Sequence, residues 1–162
     1  MTEFRRVLFR SGDHSFDCVL CIEVAEHAED PQFLIFEIAR VLRPEGTLLL
    51  TVPWSARQHH LPHDYHRFTH ERLRALLKKG GFDGIEITER GSDIGAIANK
   101  LTVLTIRLLA LRGGILWRFP FGLLCGVLAV VFIAAAHCSD ALGMGSKLDP
   151  LGYFVRARRA RG

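Results

Sequence analysis

Residues Phe16–Pro53, FDCVLCIEVAEHAEDPQFLIFEIARVLRPEGTLLLTVP, constrain the fold more than any other part of the chain. They read as strand, acidic loop, amphipathic helix, turn and strand. Phe16–Glu23 is the mostly apolar run of a buried parallel strand. Asp30 and Pro31 stand where a helix takes its N-cap acceptor and its first residue. Leu34, Ile38, Val41 and Leu42 recur at helical spacing and supply one core face. Arg43-Pro44-Glu45-Gly46 ends the helix and turns the chain, and Thr47–Val52 is the next strand, stopped by Pro53. A strand–helix–strand unit closes with a right-handed crossover, so these two strands are expected to pair in parallel.

Downstream, Trp54–Phe68 is a long polar loop. Thr69 caps a helix carrying Leu73, Leu76 and Leu77, which Gly80-Gly81 closes. Phe82–Thr88 alternates like a strand, and Leu151–Ala157 is a last short apolar run. Between them, Ile94–Leu111 has only Lys100 and Arg107 charged, and Phe119–Ala136 is 18 residues without a charge. That length is the lower limit for crossing a bilayer, about 17–25 residues. If the last strand joins the sheet of Phe82–Thr88, a single crossing would put its two ends on opposite sides of the membrane. The insert is therefore expected as a helical hairpin resting in the membrane interface. The other readings are a soluble helical cap over the site, or one true span with Leu151–Ala157 outside the sheet.

With 49% hydrophobic and 23% charged residues, the chain has the composition of a folded domain and not of a disordered one. Its net charge of +4 concentrates at the two ends, in Arg5, Arg6 and Arg10 and in Arg156, Arg158, Arg159 and Arg161. Basic ends suit an anionic membrane surface, or are plainly solvated. Nucleic acid is not expected as a partner, because no base-reading motif is present. Cys18 and Cys21 form a C-x-x-C inside a strand, where side chains three apart point to opposite faces and cannot share a metal. No second pair follows, so the cysteines read as reduced core residues. Met1–Arg10 lacks the apolar stretch of a secretory signal. Location is accordingly expected to be cytoplasmic, at the inner face of a membrane if the insert binds one.

Asp17, the E-V-A-E-H of Glu23–His27, Asp30-Pro31, the R-V-L-R-P-E-G of Arg40–Gly46 and the L-L-L-T-V-P of Leu48–Pro53 together resemble the type 11 group of class I S-adenosylmethionine (SAM)-dependent methyltransferases. The resemblance covers Ser15–Arg90 well and Leu151–Arg158 weakly. It implies an α/β fold, a partial doubly wound, Rossmann-like sheet with an apolar helical insert before the last strand. The first strand here would be the family's fourth, and the later ones its fifth, sixth and seventh, the last antiparallel. The expected organisation is a foreign or poorly ordered segment at 1–15 and the C-terminal half of a methyltransferase domain at 16–92. A hydrophobic insert follows at 93–140, then a final strand and basic tail at 141–162.

In an open α/β sheet ligands bind beyond the C-terminal ends of the strands, which places Glu23–His27 and the residues after Pro53 at the site. By resemblance, Cys21, Ile22, Glu23 and Val24 line the methionine side of SAM, where a carboxylate favours the sulfonium charge. His27, with Glu26, is the candidate catalytic pair, His27 as the base that takes the acceptor's proton. Two further roles stay open for them. Glu26-His27 can simply fix the loop. Alternatively Glu23, Glu26 and His27 match the E-x-x-E-H by which some quinone-pathway O-methyltransferases hold a divalent cation. Pro53, Trp54, Asp64, Tyr65 and Arg67 are the candidate acceptor residues, Arg67 through bidentate hydrogen bonds. The loop also holds His59, His60, His63, His66 and His70, so the same stretch reads as an acceptor loop, a metal site or a solvated loop.

The family's glycine-rich turn and its ribose-binding acidic residue have no counterpart upstream of Phe16, and Glu45 stands where glycine is usual. Glu45 is compatible with the turn if its φ is negative. The expected activity is SAM-dependent methylation of a small-molecule, glycan or lipid-linked acceptor near a membrane, by a truncated chain that alone binds SAM poorly or not at all and is inactive. The alternative is a membrane-associated binding or scaffold module that kept the sheet and lost catalysis.

Overall fold

The computed structural model describes residues 10–110 and 115–161, with side chains from 119 onward in the second stretch. The chain divides into two compact units, one of residues up to Thr88 together with those from Gly152, the other Glu89–Leu151.

The first unit is built on a four-stranded sheet of order β1-β2-β4-β3. The strands are β1 (Phe16–Ile22), β2 (Leu42–Pro53), β3 (Phe82–Arg90) and β4 (Gly152–Arg159). β1 and β2 are parallel, with Leu20 opposite Leu49 and Ile22 opposite Thr51, while β4 runs antiparallel to β2. Helix α1 (Pro31–Val41) forms the crossover. Asp30 caps it by accepting from the Phe33 N–H, and its buried residues include Leu34, Ile35 and Ile38. Helix α2 (His70–Lys79) is capped by Thr69, which accepts from the Arg72 N–H, and it buries Leu73, Leu76 and Leu77. Both helices share one core with Cys21, Leu48, Leu50, Val52, Tyr153, Val155 and Ala157.

The opposite sheet face is open. Phe16, Leu20 and Ile22 are 42%, 66% and 49% exposed, and Cys18 is exposed while Cys21 is buried. β1 is thus half-covered, not the strand buried on both faces that its apolar run suggests. The cysteines do sit on opposite faces of the strand.

The expected turn at Arg43–Gly46 is not a separate turn. α1 passes directly into β2, and the register shifts from Phe16 opposite Leu42 to Cys18 opposite Thr47, so Arg43–Gly46 bulge out of the ladder. Glu45 adopts φ 66°, not the negative value expected of it. The bulge needs a left-handed residue there, and Glu45 fills that place while its carboxylate accepts from Arg161 Nε at 2.8 Å.

Residues 10–15, grouped above with 1–9 as foreign or poorly ordered, hydrogen bond to the end of α1. His14 and Ser15 donate their N–H groups to the Arg40 and Val41 carbonyls at 3.0 and 2.8 Å. Arg40 also binds the Asp13 carboxylate. Residues 1–9, including Arg5 and Arg6, lie outside the described residues.

The second unit is an antiparallel helical hairpin of α3 (Asp93–Ala110) and α4 (Ile115–Ala141). Leu109 lies against Gly122, and Thr105 against Gly126, so the helices run in opposite directions. Phe119–Ala141 is long and apolar enough to cross a membrane and is little buried. Phe121, Leu123, Leu124, Val127, Val130 and Val131 are all exposed. The Leu151 N–H donates to the Arg90 carbonyl at 2.9 Å, which ties entry and exit of the hairpin together.

Candidate functional site

β1 and β2 end side by side, and their trailing loops fold onto each other. At the end of β1 the chain turns sharply: Glu23 has φ 52°, and its N–H donates to the Thr51 carbonyl and hydroxyl at 3.0 and 3.2 Å. The left-handed backbone there is a local strain, held by β2. A short 3-10 turn, Ala25–His27, follows. The loop after β2 then returns across it. The N–H groups of Tyr65 and His66 both donate to the Glu26 carbonyl, at 2.9 and 3.2 Å, and His66 Nε2 donates to the Ala28 carbonyl at 3.0 Å. His27 Nδ1 donates to the His63 carbonyl.

Two carboxylates here have opposite electrostatic environments. Glu26 is fully buried, and neither of its oxygens has a hydrogen-bond partner among the described residues. Burial raises its pKa above the ordinary value, and the charge of Glu23 adds to the effect. Asp64 is held well below the usual carboxylate range, first by its hydrogen bonds from Arg67 and then by the His59 N–H. Arg67 reaches it with two nitrogens, at 2.7 and 2.9 Å. Burial pushes the Cys21 thiol up to about 12, the negative charge of Glu26 contributing.

The residues expected at the site divide into three groups. Cys21 is core, Ile22 faces the open side of the sheet, and Glu23 and Val24 form the bend between β1 and the 3-10 turn. Glu26 and His27 sit where the two loops meet. Of the acceptor residues, Pro53 is buried at the end of β2, and Trp54 packs edge-on against Tyr153 with ring centroids 6.4 Å apart. Tyr65 is exposed, and its hydroxyl donates to Glu29 at 3.2 Å. Arg67 spends its N–H donors inside the loop: on Asp64, on the His66 carbonyl at 2.7 Å, on the Arg57 carbonyl at 3.1 Å and on the Ala56 carbonyl at 3.4 Å. It braces the loop. The residue not grouped with Glu26 by sequence is His59, whose ring lies 4.8 Å from that of His27. The only signal for it was its place in a histidine-rich loop following the neighbouring strand.

A parallel β1–β2 pair joined by α1 and an antiparallel β4 inserted between β2 and β3 make this the fold of the class I methyltransferases. Residues 3–50 match the type 11 family described as "Methyltransferase domain". Among solved structures, the chain is similar to the [4+2]-cyclase SpnF (23% identity, TM-score 0.52, 94% of this chain and 54% of that one). It is also similar to Haemonchus contortus phosphoethanolamine N-methyltransferase 2 in complex with SAM (19%, TM-score 0.51, 94% and 35%). A third is a sarcosine dimethylglycine methyltransferase of Galdieria sulphuraria (16%, TM-score 0.54, 98% and 58%). The chain thus spans little more than half, or less, of the structures it matches. No curated protein matches it by sequence.

Proposed function

We propose that this chain contributes the acceptor-side half of a SAM-dependent methyltransferase acting on a small-molecule, glycan or lipid-linked acceptor. The observation that supports this most is the meeting of the two strand-end loops, Glu23–His27 and Trp54–Phe68, at one edge of a parallel pair. Methyl transfer is an in-line displacement that needs mainly proximity and orientation, and such a crevice supplies both. Glu23 would face the sulfonium of SAM, with Cys21, Ile22 and Val24 forming the strand end beneath it. His27 would accept the acceptor's proton, Trp54 and Tyr65 would border the acceptor, and Asp64 and Arg67 would keep the loop in place. Calorimetric titration of SAM into this chain, and into an N-terminally extended version carrying a glycine-rich turn, tests the reading. Binding by the extended version supports it; no binding by either overturns it.

The α3–α4 hairpin supports placing that chemistry at a membrane surface. Its exposed side chains include Phe121, Leu123, Leu124, Val127, Val130 and Val131, an apolar surface of the kind that marks partner or membrane contact, and both hairpin ends lead to adjacent strands of one sheet. Flotation with vesicles containing anionic lipid should carry the protein upward. Recovery wholly in the soluble fraction would count against the membrane placement and leave the cofactor reading intact. A second reading follows from the similarity to a cyclase: the fold hosts chemistry other than methyl transfer. Binding of SAM without methylation of any tested acceptor would favour it.

A further inference from the structure

The turn after β1 and the loop after β2 bring three donor atoms around one point. Glu26 Oε1 lies 3.7 Å from His27 Nε2 and 3.8 Å from His59 Nε2, and one ligand atom from each of the three residues falls within 4.8 Å of the others. Two of them belong to one sequence motif and the third to another, so neither motif contains the set.

Glu26 is the residue that requires a ligand. Its side chain is 0% exposed, and neither oxygen has a hydrogen-bond partner among the described residues. Burying a charge in this way is strongly unfavourable unless something compensates it. The two imidazole nitrogens that face it stand beyond hydrogen-bond distance. His27 Nδ1 is bonded to the His63 carbonyl, and His59 Nδ1 to the Arg57 carbonyl at 3.2 Å. A carbonyl only accepts, so each Nδ1 bears a hydrogen, and each Nε2 is the nitrogen directed at Glu26, where it can serve as a metal ligand. The same backing of an imidazole by a carbonyl orients histidines that bind metals. Asp64 adds to it, accepting from the His59 N–H at 2.9 Å and standing 3.6 Å from the ring.

We propose that Glu26, His27 and His59 bind a divalent cation of zinc-like chemistry, through one carboxylate and two imidazole Nε2 atoms. Ligands of a tetrahedral zinc ion stand about 3.4 Å apart, given bonds of about 2.0–2.1 Å. Side-chain movement of about an ångström closes the set around an ion. Three protein ligands leave one coordination position for a water or an acceptor hydroxyl, whose proton the ion makes more acidic. The set differs from Glu23, Glu26 and His27, because His59 replaces Glu23 and comes from the second loop. The same Nε2 lone pair of His27 would take the acceptor's proton only when no ion is bound. The site rests on loop geometry and not on the methyl-transfer reading, so binding measured without SAM tests it separately.

The experiment is calorimetric titration of Zn2+ into the EDTA-treated, dialysed chain, with Co2+ absorption as a second readout. One ion per chain is expected, with affinity falling at least about 100-fold in Glu26→Gln and His59→Ala but less than about 3-fold in Glu23→Gln and His70→Ala. Should a variant fail to fold by circular dichroism, the Co2+ spectrum of the unaltered chain still decides. Intense visible bands of a tetrahedral nitrogen–oxygen site support the proposal, and weak octahedral bands overturn it. No binding by the unaltered chain also overturns it. So does retention of affinity in His59→Ala with loss in His60→Ala or His63→Ala, which would mean that the loop histidines collect zinc by themselves.

Discussion

Two residues of the site and one in the bulge at the start of β2 carry stability consequences of different sign. Asp64 is held below its unfolded value of 3.8, so its contribution is complete above that value and is lost as the pH falls through the folded one. Asp64→Asn should cost about 2–4 kcal/mol at pH 7, because it leaves Arg67 unpaired inside the loop. The gap between variant and parent should narrow toward pH 2 in urea titrations. Glu26 runs the other way. Its folded pKa is raised, so its contribution is present below the unfolded value of 4.5 and is lost as the pH rises. In the metal-free chain, Glu26→Gln should therefore raise the melting temperature at pH 8 and change it little at pH 4; the amide can donate to an imidazole Nε2. Glu45 pays for its left-handed backbone with strain of about 1–2 kcal/mol. Its ion pair with Arg161 is exposed and weak. Glu45→Gly should stabilise the fold by about 0.5–1 kcal/mol, read from the shift in denaturation midpoint.

At the scale of elements, the glycine pair after α2 separates two reasons for glycine. Gly81 has φ 82° and nothing near the position of a Cβ, so conformation alone requires it. Gly80 has an ordinary φ of −77°, yet a Cβ there would come within 2.3 Å of Ile35 on α1. Gly80→Ala should cost about 1–3 kcal/mol by forcing α1 and α2 apart, and Gly81→Ala about 1 kcal/mol. Removing the clashing Cγ2 with Ile35→Ala should make the added cost of the first substitution vanish and leave that of the second unchanged, in paired denaturation curves of the double variants. The alternating burial of β1 gives a chemical counterpart. Thiol reagents at pH 8 should label Cys18 in the folded chain and spare Cys21 until it unfolds, as mass spectrometry of the peptides would report.

At the scale of the molecule, two apolar surfaces stand uncovered among the described residues: one face of β1 and the exposed side chains of the hairpin. β1 is also an edge strand, with a free ladder of backbone groups. Leu20 is its most exposed large side chain, at 66%. Leu20→Lys should reduce light scattering of concentrated samples while changing the melting temperature by less than about 2 °C. An unchanged aggregation rate would assign the problem to the hairpin.

Much of this was already written in the sequence. The helix starts at Asp30 and Thr69, the parallel β1–β2 pair and the apolar insert follow from caps, periodicity and run length, which act over a few neighbouring residues, whereas the antiparallel last strand was expected only from the family resemblance. That the loops after β1 and β2 would come together was legible from the strand–helix–strand order. What the tertiary structure alone decided depends on contacts between distant segments. The bulge at Arg43–Gly46 sets the β1–β2 register, and with it the left-handed backbone of Glu45. The fold of the second loop over the first uses up Arg67, leaves Glu26 buried without donors and brings His59 against it. Local pattern specifies which elements form. Burial and the pairing of polar groups are settled only when those elements pack, because they depend on what each side chain meets.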